Sequence, residues 1–460
     1  MEYISTRNTQ KNFSFREVFL KGLAPDGGLF VPKNIPLYSS DELKKLRNLS
    51  YNDLAQKIIL KFSGKEFKDS DIKDLISQSY KNFRVKDVVT INKLEKINLL
   101  ELFHGPTLAF KDIAMQVIGN MYENILEKNN LKVNIVVATS GDTGAAAISA
   151  IKDRKNMKIF VLYPDKKISK VQRKFMTTVN SKNVFNIAID GNFDDCQKLV
   201  KSMFADNAFN SSINMSGVNS INWSRIVVQI VYYFFSYFKL TQKDEKINFS
   251  VPTGNFGDVY SGYVAKKMGL PINKLIIATN KNDILKRVVN TGIYKPMETE
   301  HTISPSMDIQ IASNFERLIF DISSNSAEKT LKLMTDLNVK GEFKLGSEEL
   351  KKIKENFSSE SLSDNETKLI ISDFYKDKKI FIDPHTAVGI GAMEKLSLKE
   401  KTIVLATAHP SKFSEVVKQE TKAIPELPRD LENILTKEEK YEKFPKDLKK
   451  IKNYILDRSN

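Results

Sequence analysis

Through the middle of this chain, short β-branched runs alternate with stretches of helical character, and that alternation restricts the fold more than any other feature. The runs lie at 134–138, 158–163, 184–189, 248–251, 275–278 and 402–406. Such a pattern predicts a parallel α/β sheet covered by helices on both faces. Three of the six lead directly into short motifs: Ser140-Gly-Asp-Thr-Gly144 after the first, Gly254-Asn-Phe-Gly257 after the fourth, and Thr407 after the last. Ligands of open α/β sheets sit beyond the carboxyl ends of strands, so this placement favours a binding site over simple packing.

At 460 residues the chain can hold two or three domains with an ample core. Hydrophobic residues at 41% and charged ones at 28% describe a soluble globular protein. The longest apolar run, 226–238, is interrupted by Gln229 and Ser236 and falls short of the roughly 20 residues that span a bilayer. It predicts a buried helix. Glu2, Arg7 and Lys11 precede no apolar stretch, so no secretory leader and no membrane partner are expected, and a cytoplasmic location is. The single cysteine, Cys196, excludes an internal disulfide and a multi-cysteine zinc site. A net charge of +15 invites a nucleic-acid partner, but the lysines are spread along the chain among Asp and Glu. No nucleic acid is therefore expected, whereas a mild positive field suits a dianionic small substrate. The dense block at 437–452 alternates sign and reads as a solvated terminal helix.

The chemistry starts at Lys111, which closes Glu101-Leu-Phe-His-Gly-Pro-Thr-Leu-Ala-Phe-Lys111 behind a Gly105-Pro106 turn and an aromatic. An amine held in this way suits Schiff-base formation with an aldehyde, although a lone lysine is most often a solvated surface residue. Gly254, Asn255, Phe256 and Gly257 form a glycine turn before a helix, where backbone N–H groups bind phosphate without a cation. An ordinary strand-to-helix turn reads the same. Asp258 would repel that phosphate unless its carboxylate turned away to cap the helix. Ser140, Gly141, Asp142 and Thr143 stand at the next strand end, with helix capping by Asp142 or Thr143 as the plainer role. Asn219-Ser220-Ile-Asn222-Trp-Ser-Arg225 puts amides, a hydroxyl and a planar guanidinium just before the apolar helix, as an anion site would; a surface arginine is the alternative. His104, His301, His385 and His409 show no metal spacing, so no metal is expected and hydrogen bonding is the role assigned to each.

Together these runs resemble the pyridoxal-phosphate enzymes of fold type II, and their wording is closest to the threonine synthases of bacterial and fungal type. Tyr3-Ile-Ser-Thr-Arg7, Gly22-Leu-Ala-Pro-Asp-Gly-Gly-Leu-Phe-Val-Pro32, Ser304-Pro-Ser-Met-Asp308, Ser313-Asn-Phe-Glu-Arg317 and Ala406-Thr-Ala-His-Pro-Ser-Lys-Phe413 extend the likeness over nearly the whole chain. The resemblance implies a tryptophan-synthase-beta-like fold with parallel sheets in a large and a small mobile subdomain. Residues 1–90 would be an amino-terminal module and 91–430 the catalytic core, with the small subdomain near 115–215 and a helical insertion near 320–380. Residues 431–460 would be a basic helical tail. It further implies that Lys111 carries pyridoxal 5'-phosphate, that residues 254–257 hold the cofactor phosphate, and that Thr407 faces the pyridine nitrogen. Ser140 to Thr143 would take the substrate carboxylate, and Asn219, Ser220, Asn222 and Arg225 the phosphate of O-phosphohomoserine. Relatives often set an asparagine beside the cofactor's phenolic oxygen; Asp142 could approach that oxygen only by sharing a proton. The implied reaction turns O-phosphohomoserine and water into threonine and phosphate, in a monomer or small homo-oligomer. A dehydratase or phospho-lyase of the same fold would share the cofactor motifs, and a non-catalytic homologue would share the fold.

Overall fold

In the computed structural model, which describes residues 1–95, 97–242 and 245–459, all six expected runs form strands. They divide between two sheets. The larger has six strands in the order Phe357–Ser361, Ile272–Thr279, Ile247–Pro252, Thr402–Ala406, Asn98–Glu101, Thr90–Lys93. Neighbours run parallel except for the last pair, which is antiparallel. The smaller, all parallel, has the order Glu442–Phe444, Val184–Ile189, Met157–Pro164, Val133–Ala138, Met215–Ser216. Strands such as Ile247–Pro252 are buried along their whole length, because helices cover both faces and a dry environment selects a continuous apolar run over alternation.

Helix Trp223–Leu240 is the axis of the core. Residues 223–238 are all buried, and the helix packs on Gly257–Lys267, Tyr51–Ser63 and Lys111–Asn129. Each large apolar side chain buried in this way contributes roughly 1.5–3 kcal/mol. The amino-terminal segment joins the same hydrophobic cluster: Trp223 meets Tyr3 and Phe62 edge-on at 6.3 and 5.9 Å, and Tyr3 Oη donates to the Phe62 carbonyl at 2.7 Å. Among the described residues no helix is long and apolar enough to cross a membrane.

Two expectations change. The region 320–380 is helical, but it also supplies strand Phe357–Ser361 to the edge of the larger sheet. The block at 437–452 is not a solvated helix. Glu442–Phe444 extends the smaller sheet, and helix Leu448–Ser459 buries Ile451, Tyr454 and Ile455. Those three positions have i, i+3, i+4 spacing, so they form one apolar stripe that the surrounding charges conceal from a composition count.

Candidate active site

Lys111 is the first residue of helix Lys111–Asn129, and the preceding loop is held from both ends. The Asp112 carboxylate accepts from Thr107 N and Thr107 Oγ1, both at 2.7 Å. A Cβ on Gly105 would lie 2.4 Å from the Asp112 Cβ, so only glycine passes there. Phe110 N donates to the Thr407 carbonyl at 2.9 Å, and Ala109 bridges Ala408. The loop is thereby fastened to the end of strand Thr402–Ala406, with buried Thr407 bonded to the residue before the lysine. Burial pushes the Lys111 ammonium below its usual range; Asp142 opposes this, while Lys412 and Arg225 reinforce it.

Asp142 begins helix Asp142–Ile151 and gathers four side chains. Its Oδ1 accepts from Lys412 Nζ at 2.8 Å and Gln172 Nε2 at 2.9 Å; its Oδ2 accepts from Lys111 Nζ at 3.2 Å and Ser306 Oγ at 3.4 Å. Burial alone would raise this carboxyl, but Lys412 and Lys111 overcome it and hold the group well below the usual range. A carboxylate so occupied cannot serve a substrate carboxylate through its side chain. Nor does it cap its helix, and neither does Thr143: Thr139 Oγ1 accepts from Gly141 N and Gly144 N, both at 2.9 Å. Ser140 and Thr143 are half-buried, and Gly141, between them, is buried.

The 254–257 turn joins strand Ile247–Pro252 to helix Gly257–Lys267. Phe256 takes the left-handed conformation, φ 65° and ψ 2°, and drives its ring against Phe315 at 5.2 Å. No side chain caps the helix, which leaves its first amides for an anion. Asn314 N and Nδ2 both donate to the Asn255 carbonyl, and Arg317 Nη2 donates to the Ile221 carbonyl at 2.5 Å. Since Arg317 also bonds Asn314, this pair staples the turn to the 219–222 loop.

Within that loop the expected ligands part company. Asn222 is the helix cap: its Oδ1 accepts from Ser224 N and its Nδ2 donates to the Phe19 carbonyl, both at 3.0 Å, so its amide is not free for phosphate. Asn219 and Ser220 are half-buried. Arg225 is 3% exposed, and neither its Nε nor its Nη1 has a partner among the described residues. Burial brings this guanidinium down to about 10. Asp258 does turn away from the helix end, but towards Tyr232 and Tyr233, whose hydroxyls donate to its Oδ1 at 2.5 and 2.9 Å. Burial raises the carboxyl to about 6, against the pull of these hydroxyls, Lys111 and Arg225.

A buried amine and a turn of uncapped amides fit a phosphorylated aldehyde, and the orphaned guanidinium fits a second anion. Three family models cover the chain: "Threonine synthase N terminus" over residues 2–80, "Pyridoxal-phosphate dependent enzyme" over 90–336, and "Threonine synthase, C-terminal" over 386–455. The chain belongs to the threonine synthase family. It is 40% identical to the threonine synthase of Pseudomonas aeruginosa, spanning 100% of this chain and 99% of that one, and 41% identical to that of Saccharomyces cerevisiae over 98% and 97%. The crystal structure of pyridoxal-phosphate-bound threonine synthase from Brucella melitensis superposes with a TM-score of 0.96, at 41% identity over the full length of both chains. The fold is therefore fold type II, the cofactor is pyridoxal phosphate, and the enzyme is a lyase of the threonine synthase type.

Four site residues of this threonine synthase family member escape a reading of motifs. Lys412 stands in the Ala406–Phe413 block without marking its role, and Gln172 looks like any surface glutamine. Ser306 lies in the Ser304–Asp308 block without marking itself. His385 is held by Asp383, Nδ1 to Oδ2 at 2.7 Å, and its Nε2 accepts from Ser306 N at 3.2 Å, which places its proton on Nδ1. The Asp383-Pro-His385 spacing was the available signal. His409 Nδ1 bonds Ser411 instead, and burial lowers its ring to about 4.

Proposed function

We propose that the enzyme converts O-phosphohomoserine and water into threonine and inorganic phosphate. Arg225 carries this reading: a guanidinium out of water, with two nitrogen donors unpaired among the described residues, near the lysine that would move the protons. Each buried polar group left unsatisfied costs about 1–3 kcal/mol. A substrate phosphate accepts from this guanidinium through the free donors, with Asn219 and Ser220 beside it. A dehydratase acting on serine or threonine would bring no anion there and would leave the cost standing.

The amides at 254–257 would hold the cofactor phosphate, and the Thr407 hydroxyl the pyridine nitrogen. Ser140, Gly141 and Thr143 would take the substrate carboxylate through hydroxyls and backbone amides, with the Asp142 side chain reserved for its lysines. When bound, pyridoxal phosphate supplies an electron sink that makes protons removable from carbon next to the amine. Lys111 Nζ would take the α-proton and move protons at the following carbons; phosphate departs from the γ-carbon, and the oxygen of water joins the β-carbon. Asp258 turns one carboxylate oxygen onto two tyrosines.

The deciding experiment gives the purified holoenzyme O-phosphohomoserine, with serine and threonine as competitors, and quantifies products. One threonine per phosphate released is expected. Oxo-acid formation from serine or threonine at a higher kcat/KM would make the enzyme a dehydratase, and no turnover at all would leave it a non-catalytic relative.

A further inference from the structure

One buried carboxylate, Asp142, faces two buried lysines, and the two are not equivalent. Lys412 Nζ lies 2.8 Å from Asp142 Oδ1, donates to the Thr107 carbonyl at 2.8 Å, and stands 5.4 Å from the centre of the Phe175 ring. Its side chain is fully enclosed. Lys111 Nζ has one oxygen, Asp142 Oδ2, at the longer distance of 3.2 Å, and the Phe110 ring at 4.8 Å. An ammonium taken out of water stays charged only if hydrogen bonds and a counter-charge replace its hydration. Lys412 has that replacement on three sides and Lys111 on fewer.

We propose that Lys412 is a positioning residue that remains protonated as the permanent counter-ion of Asp142, so that Lys111 is the lysine that gives up its proton and meets the cofactor aldehyde as a neutral amine. This rests on the assignment of Lys111 as the cofactor lysine. A neutral amine is the nucleophile in that condensation, which forms a carbon–nitrogen bond and releases the aldehyde oxygen as water. The other charges around Lys111 are Arg225 on helix Trp223–Leu240 and Asp258 on helix Gly257–Lys267; Asp112, beside Thr107, faces Lys412. Arg225 acts in the same direction as Lys412, and Asp258 is partnered by tyrosines. The Lys412 carbonyl also accepts from Ser169 Oγ at 3.3 Å, at the start of the helix that carries Gln172, another partner of Asp142.

The test uses the full-length apoprotein and pyridoxal phosphate alone. Cofactor capture is followed by visible absorbance between pH 6 and 10, then fixed by borohydride and located by peptide mass. Lys412→Met should move the inflection of capture rate upwards by about one unit, so that capture is about tenfold slower below both inflections while the high-pH plateau is kept. Asp142→Asn should move the inflection downwards, since it removes the charge that favours the Lys111 ammonium. A lowered plateau with an unmoved inflection in Lys412→Met would make Lys412 merely structural and overturn the proposal. If that variant fails to fold by circular dichroism, Asp142→Asn decides: a downward shift supports the proposal, and an unmoved or upward one overturns it. Cofactor trapped on a lysine other than Lys111 in the unmodified protein would instead remove the assignment on which the proposal stands.

Discussion

Replacing Gly254 by alanine tests whether the cofactor turn is built by close backbone approach. An added Cβ would lie 2.6 Å from the Ser306 carbonyl oxygen and 3.1 Å from Ile309 Cδ1. Gly254 is not among the positive-φ residues, so its backbone conformation is open to alanine and the cost is steric. Neither side yields cheaply: Ser306 is anchored through its N–H to His385 and through its hydroxyl to Asp142, and the turn is anchored through Asn255 to Asn314. Overpacking of this kind costs about 1–3 kcal/mol. If the apoprotein relaxes by displacing the turn, the whole cost falls on cofactor binding and weakens it about 5- to 150-fold. If the turn holds, the same cost appears as a lower melting temperature. Cofactor titration by absorbance and thermal melts of the apoprotein measure the two parts. Gly217→Ala is the control, because its Cβ meets only the far end of the Phe204 ring, at 3.0 Å. Unchanged cofactor affinity and unchanged melting in Gly254→Ala would refute the reasoning.

Lys111→Ala should abolish visible cofactor absorbance and lower threonine formation by roughly 10²–10⁴-fold or more, with the fold intact by circular dichroism; normal turnover would exclude the lysine. Arg225→Lys keeps a charge but loses the planar fork, so KM for phosphohomoserine should rise by about 10- to 100-fold with cofactor retained. Loss of cofactor with unaltered KM would assign Arg225 to the other phosphate. Asp258→Asn should change the pH dependence of stability. The folded carboxyl, raised by burial to about 6, is above its ordinary value, so the native protein loses stability as pH rises from about 4 through 6. The variant should therefore gain on the unmodified apoprotein across that window, by an amount on the order of 2–3 kcal/mol, and hold the gain above pH 7. A difference in melting temperature independent of pH would contradict the assignment.

What the sequence by itself determined is the local frame. Six strands could be placed because each is a short apolar run bounded by turn residues, and the buried helix at 226–238 because nothing but a core accommodates so much apolar surface. Motifs at strand ends were legible for the same reason: a glycine turn between strand and helix is a contiguous pattern, and Lys111 stands inside one. Tertiary structure alone decided which side chains spend their hydrogen bonds on the fold and which keep them for a ligand. Asn222 and Arg225 sit three positions apart in one motif, yet the first caps a helix and the second is buried with open donors. Asp258 was ambiguous until the chain brought Tyr232 and Tyr233 to it. Lys412 reaches Thr107 across 305 positions, and its place in the Ala406–Phe413 block does not reveal that its amine is buried against Asp142. Charge and polarity are properties of a residue, whereas the loss of water around it and the partner that replaces that water depend on the folded chain.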